Sequence, residues 1–322
     1  MNYLKIALGS VAGLAFAATA SAQTIGIGST KGGAVAQITA TISKVVSESD
    51  AGLQMRSQTM GGTQQYIPVV NAGELDFAIS NISQYYMAVS GTGLSAPNKY
   101  DNLRLVTNMM KFSVGYVVPV NSGFKSVSDL KGKRLATGFK AAPLFQNIHA
   151  GGLATVGLTY NDVEQVPAVG LVQHWRMFME GKLDGVIAAA GSGFIKQMNA
   201  TIDGGVKFIP FPNTPEALAA MRTQFPKTFW SVVQPRKGLT AVREPVTLIT
   251  YDYMFWTHKG LSDEIVYKVT KVMHTQAEKL KAGGPLWRTY TADSNMAKQH
   301  GVPYHPAAEK YYKEVGLWPG NS

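Results

Sequence analysis

Short apolar runs alternate with amphipathic stretches along nearly the whole chain. TIGIGS (24–29) reads as a buried strand, and AVAQITATISKVV behind it places Val35, Ile38, Ile42 and Val45 or Val46 on one helical face. GLQMRSQT is a second strand candidate, followed by MGGTQQYIPVVNAGE and then by LDFAIS, a buried strand. Farther on, KSVSDLKGKRLATG predicts a short helix capped near Ser126 or Ser128, a turn at Gly132 and a strand. PLFQNIHAGGLATVG predicts a helix with Pro143 in its first turn, where the missing N–H costs nothing. LSDEIVYKVTKVMHTQAEKLKAGG predicts a helix with Ser262 as cap, Asp263 and Glu264 in the first turn, and Gly283-Gly284 as its stop. Its stripe of Ile265 or Val266, Val269, Val272 or Met273, and Leu280 is core. HPAAEKYYKEVG predicts a last helix with Pro306 near its start and His305 as a candidate cap. Strand and helix patterns in alternation predict an α/β protein.

One phrase recurs. AGELDFAISN (72–81) resembles EGKLDGVIAA (180–189): a glycine after a helical stretch, a charged residue, Leu-Asp, then an apolar strand. Glycine suits a helix end because positive φ costs it nothing. Two such junctions at corresponding points suggest two lobes of like topology. FSVGYVVPVNSG (112–123) and VTLITYDYMFWTH (246–258) are long enough to leave one lobe and return. The expected division is a discontinuous lobe of residues 23–115 and 254–322, a continuous lobe of residues 116–253, and a ligand cleft between them. Such clefts are favoured ligand sites and close by hinge motion.

Residues 1–22 stand apart. They hold Lys5, an apolar run and a small-x-small end at Ala20-Ser21-Ala22. This is the pattern of a secretory signal peptide, with cleavage near Ala22-Gln23 and export to the periplasm; an N-terminal membrane anchor is the alternative. The remaining length suffices for two lobes. The chain has no cysteine, so disulfides, thiolate nucleophiles and cysteine metal sites are excluded. Its formal net charge is +10. The basic residues are scattered, Lys31, Lys111, Lys140, Arg176, Arg222, Lys259 and Lys298 among them, which gives no nucleic-acid signature. A diffuse positive field suits a solvated surface or the attraction of an anion.

Motifs for chemistry fail in turn. In GIGSTKGG the third glycine of a dinucleotide fingerprint would fall on Lys31, and no Gly-Lys-Ser/Thr follows at P-loop spacing. Ser128-Asp-Leu-Lys131 matches S-x-x-K only formally, as a helix-start serine beside a solvated lysine. The histidines His149, His174, His258, His274, His300 and His305 form no metal motif. No catalytic residue, cofactor or metal is expected. What remains is a set of strand-to-helix loops: GSTKGG (28–33), TMGGTQQY (59–66) and TGFKAAPLFQ (137–146). Helix N-termini expose unpaired N–H groups and partial positive charge, so they hold carboxylates or phosphates. Glycines at 32, 33, 61 and 62 allow close backbone approach to a ligand.

These residues carry a resemblance. IGIGSTKGG, TMGGTQQYIPVVNAGELDFAISNISQYYMAVSGTG, VSDLKGKRLATG, GLTYNDV, GKLDGVIAAAG and HPAAEKYYKEVGL lie in order over nearly all of residues 23–322. Together they resemble the TAXI (TRAP-associated extracytoplasmic immunogenic) solute-binding proteins. The resemblance implies a two-lobed periplasmic binding protein fold of type II, each lobe a βα sandwich. It further implies capture of a small organic anion for a TRAP-type membrane permease. A periplasmic ligand sensor is an alternative, and an enzyme on the same fold a further one. Family binding positions correspond to Ser29 and Thr30, to Gly61, Gly62 and Thr63, to the segment from Asn81 to Tyr85, and to the loop from Gly138. Where the family often has a small-residue loop like GAPGSGT, this chain has GFKAAPLFQ. That substitution turns the expectation from glutamate to a carboxylate with an apolar or aromatic body, Lys140 pairing the acid and Phe139 or Phe145 packing the rest. Ala141, Ala142, Gly191 and Ser192 complete the candidate ligand-binding set. The protein is expected to be a monomer that binds no nucleic acid.

Overall fold

Residues 22–320 are described in the computed structural model; the proposed signal peptide lies outside them, Ala22 excepted. Among the described residues no helix is long and apolar enough to cross a membrane. The first lobe opens with β1 (Gln23–Thr30), α1 (Gly33–Ser47), β2 (Leu53–Met60), α2 (Thr63–Asn71), β3 (Phe77–Asn81) and α3 (Ile82–Ser90). β2, β1 and β3 lie side by side in parallel, an order that needs crossover helices, which α1 and α2 supply. Ile38, Ile42, Val45 and Val46 face the core, as the helical period requires. Val35 turns instead toward the other lobe.

β4 (Leu103–Pro119) runs for 17 residues, far beyond an ordinary strand, and carries the chain into the second lobe. There follow β5 (Arg134–Gly138), α4 (Leu144–Ala154), β6 (Glu164–Ala168), α5 (Leu171–Met179) and β7 (Val186–Ala189). After them come α6 (Gly193–Thr201), β8 (Val206–Phe208), α7 (Pro215–Gln224) and β9 (Phe229–Val233). β10 (Val246–His258) crosses back, and α8 (Asp263–Thr275), α9 (Ala277–Lys281) and α10 (Pro306–Glu314) finish the first lobe. Both crossing strands belong to both lobes. β10 pairs with β9 through Val246–Thr250 and with β3 through Tyr253–Thr257, while β4 pairs with β7 and β8 through its last residues. The β4–β10 ladder slips register at Tyr253/Met254 and Phe255/Trp256. Such bulges bend a strand locally.

The recurring Leu-Asp phrase does the same job in each lobe. Gly73 and Gly181 both take left-handed φ, 80° and 71°, and turn the chain out of α2 and α5. Asp76 then accepts the N–H of Gly26 at 2.7 Å, 50 residues back, and Asp184 accepts the N–H of Arg134 at 2.8 Å, also 50 residues back. Each aspartate ties the third strand of its series to the first. The two αβ series are thus laid out alike, so their helices α1, α2, α4 and α5 start at matching strand ends.

The helix expected after residue 262 stops at Thr275, and a short helix resumes at Ala277. Ile265, Val266, Val269, Val272, Met273 and Leu280 are all buried. Ser262 makes no side-chain cap; the acids Asp263 and Glu264 complement the helix end instead. His305 does cap α10, accepting the Ala307 N–H at 3.3 Å. Ser126 and Asp129 form a reciprocal capping box. One apolar core runs from Ile27 and Phe77 through Phe112 and Tyr251 to Leu144 and Ile148, joining the lobes across the cleft; a second lies within the second lobe around Phe178, Val186 and Leu248.

Candidate functional site

A cavity of about 60 Å³ lies between the lobes, where the strand ends of both series meet. Six helices bring their first turns to it. α1 contributes Gly32, Ala34 and Val35; α2 contributes Gly62, Thr63 and Gln64; α3 contributes Asn81 and Gln84. From the second lobe come Pro143, Leu144, Phe145 and Ile148 of α4, Leu171 and Trp175 of α5, and Ser192 ahead of α6. The crossing strands close the remaining side with Phe112, Val114, Tyr251 and Tyr253. Tyr251 and Tyr253 are two residues apart and so share one face of β10.

The electrostatics of this convergence are one-sided. None of α1 to α6 has an acidic residue in its first turn. Every other described α-helix has one: Glu216 in α7, Asp263 and Glu264 in α8, Glu278 in α9, Glu309 in α10. Only α3 among the six is capped by a side chain, Asn81 accepting the Gln84 N–H at 2.8 Å. The positive ends of six helix dipoles therefore point at one small space without local compensation, the arrangement that favours an anion. No Asp, Glu, Lys, Arg or His lines the cavity among the described residues.

Its polar side chains are mostly tied to one another. Gln84 Oε1 accepts from Thr63 Oγ1 at 2.7 Å and from Asn81 Nδ2 at 3.0 Å, and Gln84 Nε2 donates to Gln64 Oε1 at 3.3 Å. Ser192 is different: its hydroxyl is buried, 1% exposed, and has no hydrogen-bond partner. Burial pushes the acid dissociation of Tyr251 and Tyr253 upward, so both hydroxyls stay neutral donors. Aromatic rings form the rest of the wall. Phe112 lies 4.9 Å from Tyr253 and 5.6 Å from Tyr251 between centroids, and Phe145 meets Trp175 edge-on at 6.3 Å.

Gly62, Thr63, Asn81, Ala142, Phe145 and Ser192 of the expected site residues line the cavity. The others do not. Ser29 and Thr30 are buried and spend their hydroxyls locally, on Thr39 at 2.7 Å and on the Gly32 carbonyl at 2.8 Å. Gly61 gives its N–H to Gln65 Oε1 at 2.8 Å, and Gly138 gives its own to Gln146 Oε1 at 2.9 Å. Tyr85 is core, packed edge-on against Trp256. Lys140 is exposed on the loop and Phe139 is fully buried behind it, so neither forms the expected ion pair or ring wall at the cavity. Phe139 is packed by His149 at 5.7 Å and His174 at 5.3 Å. Those two histidines, far apart in sequence, are fully buried with ring centroids 6.3 Å apart. Burial holds His174 down at about 4, and burial and the His174 ring hold His149 well below its ordinary value.

The glycines also serve the contact between the lobes. A Cβ on Gly62 would lie 2.3 Å from the Ala141 carbonyl oxygen of the opposite lobe, and one on Gly33 would lie 2.8 Å from the Trp175 ring. Gly191 is a seam residue of the same kind, its missing side chain facing Pro285 of the first lobe at 3.2 Å, and Ala141 meets Gly62. These positions let the lobes touch.

Sequence reasoning missed Phe112, Trp175, Tyr251 and Tyr253, and reached Gln64 and Gln84 only as members of the segments TMGGTQQY and Asn81 to Tyr85. Two signals could have found some of them. Matching the two Leu-Asp series places Leu171 opposite Thr63, which marks the start of α5 and hence Trp175 one turn on. Alternation along VTLITYDYMFWTH puts Tyr251 and Tyr253 together. A larger groove, about 680 Å³, runs along α8 and α10 and is built from the first lobe alone.

Comparison with known proteins gives a match over residues 25–316 to the sequence model of the NMT1-like family. Among solved structures, the alkanesulfonate-binding protein SsuA from Xanthomonas axonopodis pv. citri, bound to MOPS, is similar at 16% identity and TM-score 0.47, over 80% of this chain and 72% of that one. A TctC solute-binding protein from Polaromonas is similar at 12% identity and TM-score 0.48, over 81% and 87%. An ancestral arginine-binding protein bound to arginine is similar at 16% identity and TM-score 0.48, over 82% and 97%. Likenesses this distant say nothing of this chain's ligand.

Proposed function

The chain belongs to the NMT1-like family, and we propose that it is the periplasmic solute-binding component of a TRAP-type uptake transporter. It captures a small organic anion, a carboxylate with an apolar or aromatic body, and delivers it to a membrane permease. The observation that carries this reading is the convergence of six helix N-termini, all free of first-turn acids, on one interlobe cavity. The rings of Phe112, Phe145 and Trp175 supply the apolar wall. The cavity, about 60 Å³, is well below the several hundred Å³ of an ordinary ligand site, so loading requires the lobes to part about β4 and β10. The assignment of a TRAP-type partner rests on the ordered phrases shared with the TAXI proteins, from IGIGSTKGG to HPAAEKYYKEVGL. The residues 23–115 and 254–322 form one moving body in this reading and residues 116–253 the other.

Mass spectrometry of small molecules released on denaturing the purified protein tests the proposal. An organic acid released at close to one per chain, whose cellular uptake disappears with the gene, is the expected result. Intact uptake with a lost transcriptional response to that acid would make the protein a sensor. Conversion of the acid by the purified protein would make it an enzyme.

A further inference from the structure

We infer that the solute carries one carboxylate and no ammonium group: a monocarboxylic acid with an apolar body, in preference to an amino acid or a dicarboxylate. The inference rests on the solute-binding reading above and narrows it.

Recognition of an ammonium group inside a closed cleft needs a carboxylate or several uncommitted oxygens, because a buried unpaired cation is expensive. No Asp or Glu lines the cavity, and its amide oxygens already accept from one another's groups, leaving at most one lone pair each on Gln64 and Asn81 and none on Gln84. Gln84 Oε1 already accepts two hydrogen bonds, Gln64 Oε1 accepts from Gln84 Nε2, and Asn81 Oδ1 accepts the Gln84 N–H. A second carboxylate fares no better. It would need a cation of its own, and the lining, whose rings are Phe112, Phe145, Trp175, Tyr251 and Tyr253, holds no Lys or Arg. Lys140 is exposed on the outside of its loop.

A single carboxylate is well served. Ser192 Oγ is the buried donor without a partner, and it stands at the N-terminus of α6, which has no side-chain cap. The uncapped starts of α1 and α2 lie on the facing lobe. A head group placed between them meets a hydroxyl and helix N-termini from both sides of the cleft, so binding it draws the lobes together. The body of the acid then lies against the rings. An amino acid brought in by the same carboxylate would hold its ammonium, one carbon away, among those positive helix ends.

Isothermal titration of the protein lacking residues 1–22 against matched pairs tests this: 3-phenylpropanoate with phenylalanine, 4-methylpentanoate with leucine, and pentanoate with both pentanedioate and glutamate. The expected result is binding of the monocarboxylates, with the added ammonium or second carboxylate weakening affinity by about 100-fold or more. Ser192→Ala is expected to weaken the monocarboxylates about tenfold with an unchanged or raised thermal midpoint without ligand. Leucine, phenylalanine, glutamate or pentanedioate binding within tenfold of its partner would overturn the inference and leave the solute-binding reading standing. Unchanged affinity in Ser192→Ala would overturn the placement of the head group. No binding by any member of the panel would overturn both readings.

Discussion

Replacing Gly62 by alanine separates closure of the cleft from stability of the fold. Gly62 has φ −169° and ψ 166°, extended backbone that alanine adopts without strain. Its added Cβ would sit 2.3 Å from the Ala141 carbonyl oxygen and 3.2 Å from the Ala142 Cα, both main-chain atoms of the opposite lobe. Neither can swing aside as a side chain would, so the closed form must open by about 1 Å to restore an ordinary contact. Overpacking of this kind costs about 1–3 kcal/mol. That cost falls only on the closed form, and it converts to a loss of affinity of about 5- to 150-fold. In the open form the methyl group meets no opposing lobe. There the smaller conformational freedom of alanine in the unfolded chain stabilises the fold by about 0.4–1 kcal/mol. Stability without ligand and affinity for ligand should therefore move in opposite directions. Calorimetric titration and thermal unfolding of the same preparation measure the two. Gly193→Ala is the control, since its Cβ would meet only the side-chain end of Gln37 at 3.0 Å, which can rotate away. Wild-type affinity in Gly62→Ala, or a parallel loss of affinity and stability, would refute the reasoning.

Three further outcomes follow from named contacts. His149 and His174 are buried neutral, with folded-state values below the unfolded value near 6.5. The unfolded chain therefore binds more protons between pH 6.5 and about 4; stability is full above 6.5 and falls as pH drops through that window, His174 alone accounting for roughly 3 kcal/mol. Urea unfolding at pH 7.5 and pH 5 measures the slope, and His149→Leu should flatten it; an equally steep profile in that variant would count against a neutral buried ring. Phe145→Ala, which removes a ring from the cavity wall, should weaken a phenyl acid by at least tenfold and a short acid such as propanoate hardly at all. Asp76→Ala and Asp184→Ala should each destabilise by about 1–3 kcal/mol in urea, because each leaves a strand N–H, of Gly26 or Arg134, without its acceptor. Asp184→Ala should cost more, because Asp184 also pairs the Arg134 guanidinium at 2.6 Å, and no cost in either variant would argue against the strand-end tie.

The absence of acids from α1 to α6 gives the site a charge without a charged residue. A cavity lined by lysine would hold its anion by a strong pair and release it slowly. Helix ends give partial charges fixed to the two lobes, so their combined field is greatest when the lobes meet and falls as they part. In the proposed transport role, capture and release would then follow the same lobe motion, with no proton or side-chain rearrangement at the solute.

The amino-acid sequence by itself determined the layers and their order. Apolar periodicity placed β1, β2, β3, β5, β7, the crossing segments and the buried stripe of α8, because period and burial are local properties of the chain, but it did not place β6, β8 or β9. The recurring Leu-Asp phrase carried the likeness of the two lobes, since each copy repeats one strand-end hydrogen bond. Loops such as TMGGTQQY were legible as helix starts. The tertiary structure decided which side chains line the interlobe cavity. Phe139 and Phe145 stand six positions apart in one apolar loop, yet one is buried against His149 and His174 while the other lines the cavity. Nothing local distinguishes them; the packing of α4 against α5 does. Lys140, on the same loop, is exposed. The glycines carried the clearest division. Composition marked Gly32, Gly33 and Gly62 as places of close approach, but only the meeting of two lobes, more than 75 residues apart along the chain at Gly62 and Ala141, brought a second backbone against Gly62.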